Sequence, residues 1–501
     1  MRPALARLAG AIGATALLAA IPATVSAHSM STVYESPLPL AVYLAGAGVT
    51  VALSFAFVLA TDMRAAPTDP GRIVRVPAPI RLLLRAIGVF GWGWILVQGI
   101  AGGSSDAAVA PLFLWVYGWV GLAAISALWF PIWEWLDPFA TLHDMLAWAL
   151  RHLGVRGWDP SELPEPIRLW PAAAGLAFFV WLELVALAGV GTLTVVVAGY
   201  TLLTLAMMAQ FGRDQWRAQG ETFTVWFRTL NRLAPYGVVP AATTAADNEA
   251  DGGWVDPDAT GATVVTRRSF ASGLLDVQWE TPRITLIALG VGSILFDGLS
   301  QTVPFAATFG APTMALKTLI LAAFLGIIVA AALLVARTVS PGAIGAGLVP
   351  IAVGYLIAHY LTYLLVDGQK IVIAVSDPLQ TGADLIGTAF YVPDATWLPP
   401  GLIWTAQLVA VVGGHMLGAW AGHVSAQRDM DAIANAKPKR DLRHRKIPGS
   451  VPKLKSNIRT REIPLAVVMV MLTTLTLWSL GQSIVQETSA SGMLPAVFHL
   501  L

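Results

Sequence analysis

The segment from Pro312 to Ala336 reads PTMALKTLILAAFLGIIVAAALLVA and contains one charged residue, Lys317. A helix needs about 20 mostly apolar residues to cross the roughly 30 Å hydrocarbon core of a bilayer, because each residue adds only 1.5 Å. This segment therefore has the length and composition of a single membrane-spanning helix.

Nine further apolar runs of similar length occur along the chain. The composition agrees, because 56% of the residues are hydrophobic and only 12% are charged, against about 25% charged in soluble domains. The sequence predicts an all-α, polytopic integral membrane protein with about ten transmembrane helices. The predicted spans are Pro39 to Ala60, Leu82 to Gly102, Ala110 to Phe130, Leu169 to Gly189, Gly191 to Gln210, Ile284 to Phe305, Pro312 to Ala336, Ala343 to Val366, Gly401 to His423 and Ile463 to Ile484.

The first 27 residues have the organisation of a secretory signal peptide. Arg2 and Arg7 precede a short apolar run, and the segment ends in small residues up to Ala27, an order typical of a cleavable signal. We expect residues 1–27 to be removed and residues 28–501 to form one polytopic transmembrane domain. The alternative is an uncleaved first helix.

The distribution of Lys and Arg predicts the orientation of the spans. Positive charge near helix ends is retained in the cytoplasm, and basic residues concentrate in alternate loops, most strongly between Arg428 and Arg461. We therefore expect cytoplasmic loops at 131–168, 211–283 and 424–462, with both mature termini outside the cell membrane. The most basic loop is expected to face anionic lipid, and no nucleic acid is expected as a partner.

Two cytoplasmic segments are predicted to be ordered without crossing the membrane. Trp133 to Leu153 has the pattern of an interfacial amphipathic helix with its Trp side chains at the headgroup level. Phe211 to Pro235 is similar, and a flexible loop is expected from Ala241 to Gly261. The loop between the first two spans, which ends at Arg81, is also expected on the cytoplasmic side.

The absence of certain residues and motifs excludes several classes of chemistry. The chain has no cysteine, so disulfides, thiolate nucleophiles and iron–sulfur clusters are excluded, and any metal must bind His, Met or carboxylates. The sequence contains no GxxxxGK[ST] phosphate loop, no HExxH helix and no GxSxG elbow. Nucleotide-driven pumping and serine-triad hydrolysis therefore lack support.

Ionisable residues inside predicted spans are the candidates for function. Such residues cost about 2.5–3.5 kcal/mol at the centre of a span, so each needs a partner or a wet cavity. Glu183, Asp297 and His359 each fall beyond the midpoint of a span that runs outward, which places them at similar depth in the outer half of the bilayer. We predict an outward-facing catalytic site with His359 as general base or metal ligand, assisted by Asp297 and Glu183. In the alternative, Asp297 pairs with Lys317 and the other two only fix helix packing.

A metal site at the mature N-terminus is a second hypothesis. If cleavage exposes His28, its amino group and imidazole form a chelate suited to copper, and Met30 adds a thioether. A divalent metal or copper would bind His28 and Met30 there, and His359 in the outer layer is a separate candidate metal ligand. The alternative is that His28 simply begins a mobile terminus.

His415 and His423 lie in a span whose glycines recur at every fourth residue, at positions 414, 418 and 422. This pattern is typical of two helices in close contact. The two histidines are about 12 Å apart along a helix, too far to bind one ion together. Either could bind a haem iron from one side. The loop from Asp367 to Asp394 is expected to be a lid or a plain solvated connection.

Several short motifs occur in order along the mature chain. They are Ala27-His28, Ser36-Pro37-Leu38-Pro39, Gly220-Glu221-Thr222-Phe223-Thr224-Val225-Trp226-Phe227, Phe296-Asp297-Gly298, Leu348-Val349-Pro350-Ile351-Ala352, Ala358-His359-Tyr360, Asp367-Gly368-Gln369, Ser376-Asp377-Pro378-Leu379 and Gly414-His415. In these motifs the chain resembles a family of multi-pass actinobacterial membrane proteins commonly labelled fenitrothion hydrolase. The resemblance implies hydrolysis of organophosphate esters in the membrane, together with a partner subunit.

We therefore expect a hydrolase that acts on lipophilic, organophosphate-type esters, with a metal-bound or carboxylate-activated water as the nucleophile. One alternative is a transport or metal-handling protein in which the same residues bind copper or protons. Another is a non-catalytic membrane subunit that anchors a partner. No internal repeat that would support transport is evident. The expected partners are the lipid bilayer, a second membrane subunit and a lipophilic small molecule.

Overall fold

The secondary structure is almost entirely helical in the computed structural model, which describes residues 40–60, 72–102, 107–155, 159–239, 264–436 and 463–480. The predicted signal peptide, His28, Met30 and the loop predicted from Ala241 to Gly261 lie outside these ranges. The helices are α1 (Leu40–Ala60), α2 (Ala78–Ala101), α3 (Val109–Leu128), α4 (Trp133–Leu136), α5 (Pro138–His152), α6 (Trp170–Leu184), α7 (Val190–Phe211), α8 (Arg213–Gln219), α9 (Thr222–Asn231), α10 (Thr281–Ser300), α11 (Val303–Phe309), α12 (Met314–Thr338), α13 (Pro341–Val366), α14 (Ile371–Ser376), α15 (Pro400–Ala436) and α16 (Ile463–Leu480).

The predicted fold class is confirmed. Within the described residues, eight helices are long and apolar enough to cross a membrane: α2, α3, α6 with the turn before it, α7, α10, α12, α13 and α15. The first and last predicted spans coincide with α1 and α16, which carry the shorter apolar stretches Leu44–Ser54 and Ile463–Ser479. Every predicted span therefore falls on a helix of an all-α, polytopic membrane protein.

Two helices end at positions that differ from the approximate ends of the predicted spans. The sixth span was expected to end at Phe305, but α10 ends at Ser300 because the hydroxyl of Thr302 accepts a hydrogen bond from Phe305 N (3.3 Å) and caps α11. The ninth span was expected to end at His423, but α15 continues as helix to Ala436. The first part of the predicted loop 424–462 is therefore helical.

The chain divides into two compact units. The first unit contains α1, α10 to α12, α13 as far as His359, α15 and α16, whereas the second contains residues 67–276 and 360–397. In the first unit α10 is buried on nearly all sides, and Ile287, Ile294 and Phe296 have no exposed surface. Because most of α10 is covered, its buried polar groups must find partners within the protein.

Small residues allow α13 and α15 to pack with their backbones close together. A Cβ atom added to Gly414, Gly418 or Gly422 of α15 would lie 2.6, 2.5 or 2.6 Å from a carbonyl oxygen of α13, namely that of Pro350, Gly347 or Ala343. No side chain can occupy such a position unless the helices separate. The structure thus shows the close helix contact that the glycine spacing predicts.

We expect Gly418→Ala to destabilise the protein by about 1–3 kcal/mol, because overpacking at a rigid backbone contact outweighs the gain in helix propensity. The measurement is the midpoint of thermal unfolding of the detergent-solubilised protein. Gly413→Ala is the matched control, because a Cβ atom at Gly413 on the same helix meets nothing within 4 Å. Equal unfolding midpoints for the two variants would contradict this account of the packing.

The pattern of Trp133 to Leu153 predicted one interfacial helix, but the structure shows two helices there. The segment forms α4 and α5, which Asp137 separates by accepting hydrogen bonds from two backbone amides in the first turn of α5 (2.9 and 3.1 Å). Trp133 and Trp135 are 8% and 4% exposed, so they lie inside the fold. Only α5 keeps the expected apolar surface, on which Trp148 is 58% exposed.

The second predicted interfacial segment, Phe211 to Pro235, is also divided. It forms α8 and α9, and Glu221 caps α9 by accepting hydrogen bonds from Phe223 N and Thr224 N (3.0 and 2.6 Å). A small antiparallel sheet of order β1-β3-β2, absent from the prediction, follows in the same unit. Its strands are β1 (Arg72–Val74), β2 (Tyr236–Val239) and β3 (Val264–Arg267).

Candidate functional site

Asp297 of α10 and His359 of α13 form a hydrogen-bonded pair in the first unit. The Nε2 atom of His359 lies 3.0 Å from Oδ2 of Asp297, and each side chain is only 14% exposed. Gln301, one turn after Asp297, donates from Nε2 to the other carboxylate oxygen at 2.8 Å. Both oxygens of Asp297 are therefore held, which fixes the plane of the carboxylate toward the imidazole.

Two hydroxyl groups lie next to this pair. Tyr355 Oη and Ser479 Oγ are hydrogen-bonded at 2.9 Å, and the rings of Tyr355 and His359 have centroids 5.7 Å apart. A Cβ atom added to Gly298 would lie 2.8 Å from Tyr355 Oη, 3.3 Å from Ser479 Oγ and 3.4 Å from His359 Cε1. The absence of a side chain at Gly298 thus lets two hydroxyls and the imidazole approach one point.

Sequence reasoning missed Gln301, Tyr355 and Ser479. Gln301 and Tyr355 could have been found, because each is four residues from Asp297 or His359 and therefore lies on the same helix face. Ser479 gave no such signal. It comes from α16, more than a hundred residues away in sequence, and only the packing of the helices brings it to Tyr355.

The third predicted member, Glu183, belongs to the second unit, where it is the penultimate residue of α6 and half-buried. Its catalytic role stays a prediction. His28 and Met30 lie outside the described residues, so the copper hypothesis is also untested. Within the described ranges, no three His, Asp or Glu side chains are grouped so that they could hold a metal ion. Asp297 and His359 by themselves offer two donors.

The two histidines of α15 form hydrogen bonds within their own helix. His415 is 1% exposed and donates from Nδ1 to the carbonyl of Val411 at 2.8 Å. His423 accepts a hydrogen bond from Gln427 Nε2, also at 2.8 Å, one turn further along the helix. Both contacts are local to the helix, whereas the packing of this span against α13 is made by its glycines.

Acidic residues of the loop from Asp367 to Asp394 accept hydrogen bonds from other groups of the same loop. Asp377 accepts from two backbone amides (2.9 and 2.8 Å), and Asp384 accepts from Ser376 Oγ (2.6 Å) and from a backbone amide (3.0 Å). The hydrogen bond from Ser376 lowers the pKa of Asp384. The loop is therefore ordered, and the two roles that the sequence left open, a lid or a plain solvated connection, both stay predictions.

A buried ion network lies in the second unit. Arg217 bonds Asp137 Oδ2 (2.7 Å) and Glu134 Oε2 (3.1 Å), and Arg228 bonds Glu134 Oε1 (2.6 Å). Burial alone would raise the pKa of Glu134, but the two guanidinium groups outweigh it and lower that pKa to about 2. Glu134 is therefore ionised at neutral pH, and the network joins α4, α8 and α9.

Glu221 has the opposite electrostatic environment. Burial raises its pKa, and the neighbouring carboxylate of Asp137 raises it further. Its Oε1 accepts a hydrogen bond from Tyr200 Oη at 2.6 Å while the same carboxyl group caps α9. These contacts give Glu221 a structural role in the motif Gly220 to Phe227.

A carboxylate paired with an imidazole inside a set of apolar helices is suited to proton transfer. Of the contacts described, the pair of Asp297 and His359 is therefore the best candidate for chemistry. No family model, no curated protein and no solved structure matches this chain.

Proposed function

We propose that this protein is a membrane-embedded hydrolase of lipophilic esters, in which Asp297 and His359 activate a water molecule. The observation that carries the proposal is the hydrogen bond of 3.0 Å between His359 Nε2 and Asp297 Oδ2. The resemblance of the sequence to the family labelled fenitrothion hydrolase supports an organophosphate-type ester as the substrate class.

The pair has the arrangement that general-base catalysis needs. When Nε2–H of His359 donates to the carboxylate, Nδ1 becomes the basic nitrogen of the neutral ring. Nδ1 takes a proton from water as the water oxygen attacks phosphorus. The bond from phosphorus to the leaving group then breaks, and the proton on Nδ1 passes to the departing oxygen. Asp297 stabilises the imidazolium that forms in between, so no other reactant is consumed.

The neighbouring hydroxyl groups hold the helices around the pair in place. Ser479 Oγ donates to the carbonyl oxygen of Thr476 at 2.9 Å, so the hydrogen bond of 2.9 Å between Tyr355 and Ser479 uses the proton of Tyr355. Both hydroxyl protons are therefore bound within the protein, and the contact joins α13 to α16 next to His359.

The location of the site fits a lipophilic substrate. Asp297 and His359 lie on helices apolar enough to cross a membrane, and the charge distribution of the loops predicts that they lie in its outer half. A substrate dissolved in the outer leaflet would then reach the pair without passing through the cytoplasm. Apolar surroundings also strengthen each electrostatic contact with the transition state.

The experiment that tests the proposal is hydrolysis of a chromogenic dialkyl aryl phosphate by the full chain reconstituted in phospholipid vesicles. Release of the aryl alcohol above the rate in empty vesicles would support hydrolysis, and no release would contradict it. Proton flux across the same vesicles distinguishes the transport alternative, since a proton carrier would collapse an imposed pH gradient without cleaving the ester.

We expect Gly298→Ala to lower ester hydrolysis more than tenfold while the protein stays folded. The new methyl group would lie 2.8 Å from Tyr355 Oη and 3.4 Å from His359 Cε1, so it would displace the imidazole and the neighbouring hydroxyl. Small displacements of a catalytic group lower the rate of the reaction strongly. The measurement is the rate of aryl alcohol release together with the thermal unfolding midpoint. Gly326→Ala is the control, because a Cβ atom there meets nothing within 4 Å. Unchanged hydrolysis in Gly298→Ala would place the chemistry elsewhere.

A further inference from the structure

A cavity of about 300 Å³ lies in the second unit beside the N-terminal end of α2. Four of its lining side chains are arginines, and Glu134 is the acidic side chain among them. Its volume is at the lower end of the range of about 300–1,000 Å³ for small-molecule pockets. Guanidinium groups present several N–H donors in one plane, which suits an anion with several oxygen acceptors such as a phosphate group.

Three of the four arginines are held by carboxylates of the same unit. Arg217 takes part in the buried ion network described above. Arg213 and Arg85 share one carboxylate, that of Asp144, at 2.7 and 3.3 Å. Arg213 also contacts the exposed Asp214 at 2.9 Å, so these two cations face two carboxylates. Three of the four arginines are therefore balanced by carboxylates, and the positive charge in excess at the cavity is that of Arg81.

Arg81 differs from the other three. It lines the cavity, and its Nε–H is buried and has no hydrogen-bond partner among the described residues. A buried donor without a partner costs about 1–3 kcal/mol, or more when it is charged. Arg81 is thus a cation with an unused donor at the wall of a cavity whose other three arginines are bound by carboxylates, and a bound anion would satisfy it.

The surface next to the cavity is apolar. Leu82 both lines the cavity and is 70% exposed, and the neighbouring Leu83 and Phe90 of α2 are 60% and 70% exposed. Exposed apolar side chains on a helix of this length and hydropathy are expected to contact lipid. The sequence also predicts that this end of α2 faces the cytoplasm, where the leaflet carries anionic lipid.

We propose that the cavity binds the phosphate headgroup of an anionic phospholipid, whose acyl chains lie along the exposed apolar side of α2. The arginine-lined wall meets the phosphate, Arg81 supplies the uncompensated charge and the unused donor, and Leu82 joins the headgroup site to the lipid-facing surface. This binding site belongs to the second unit and is independent of the chemistry proposed for Asp297 and His359.

The test is native mass spectrometry of the purified full chain in detergent, titrated with phosphatidylglycerol or with phosphatidylcholine. We expect tight binding of one phosphatidylglycerol and an affinity about tenfold or more lower in Arg81→Gln, which removes one charged donor. Arg75→Gln is the matched control, because it removes the same charge from an exposed position in the preceding loop and should bind as the unchanged chain does. Equal loss in both variants would overturn the assignment.

A second variant tests the cavity without removing charge. Ala78 lines the cavity from the exposed first turn of α2, so Ala78→Phe should fill its mouth and also weaken phosphatidylglycerol binding. Full binding by a folded Ala78→Phe would contradict the location. In a third experiment, inorganic phosphate at millimolar concentration is added to the complex with phosphatidylglycerol. If phosphate alone displaced all bound phosphatidylglycerol, the cavity would be a site for a free anion and the lipid proposal would fail.

Discussion

Asp297→Asn is expected to lower ester hydrolysis by roughly one hundred- to ten thousand-fold, the range that a positioned general base contributes. The amide keeps the size of the carboxylate but cannot stabilise an imidazolium on His359, and its NH₂ group would favour the tautomer in which Nε2 accepts a hydrogen bond. His359→Gln removes the base itself and should have an effect of similar size. The measurement is the rate of aryl alcohol release by the full chain in vesicles.

The double variant Asp297→Asn, His359→Gln should be no slower than His359→Gln alone, because residues that act as one unit are not additive. Asp431→Asn and His152→Gln are the matched controls, since both residues are exposed and lie outside the pair. Both controls should retain the full rate. Hydrolysis that survives both single substitutions in the pair would rule out this assignment and leave the two side chains as a packing contact.

The sequence was sufficient to predict the membrane-spanning helices and to single out two residues of the site. Each span is a long apolar run, and the cost of burying a charge in lipid makes any ionisable residue within a span conspicuous. Asp297 and His359 were found in this way, and their depths along α10 and α13 were expected to be similar. The hydrogen bond between them agrees with that expectation.

The rest of the site depends on which face of each helix meets which neighbour, and a single sequence does not contain that information. Ser479 reaches Tyr355 only because α16 packs next to α13 in the first unit. The same limit explains the error at Trp133 and Trp135. Their spacing is amphipathic, yet the apolar face of α4 packs within the protein rather than against lipid headgroups.

The sequence likewise did not predict which charged side chains pair with each other. Arg217 and Arg228 counted only as basic residues that orient a cytoplasmic loop, yet both bind Glu134, which lies more than eighty residues earlier. Arg217 is 5% exposed, and its carboxylate partners Glu134 and Asp137 are 2% and 0% exposed. Removing one partner from a buried ion pair costs more than the pair itself contributes, because an uncompensated charge remains.

Arg217→Met is therefore expected to destabilise the protein by about 3–5 kcal/mol, because the buried carboxylate of Asp137 would lose the guanidinium group that it binds. The measurement is thermal unfolding of the detergent-solubilised chain at neutral pH. Arg168→Met is the control, because Arg168 and its partner Glu165 are 37% and 83% exposed and such a pair contributes about 0–1 kcal/mol. Adding Asp137→Asn to Arg217→Met should restore part of the loss, since the amide oxygen can still cap α5 and no unpaired charge remains.

The loss of stability caused by Arg217→Met should depend on pH, and the pKa of Glu134 determines the direction of that dependence. Its pKa is lowered from 4.5 to about 2 in the folded protein, so the network stabilises the fold fully above pH 4.5 and loses that contribution as the pH falls toward 2. The difference in unfolding midpoint between the unchanged chain and Arg217→Met should therefore be constant near neutrality and shrink below about pH 4.5. A difference that stays the same through this acidic range would show that Arg217 stabilises the protein by packing its side chain and not by its charge.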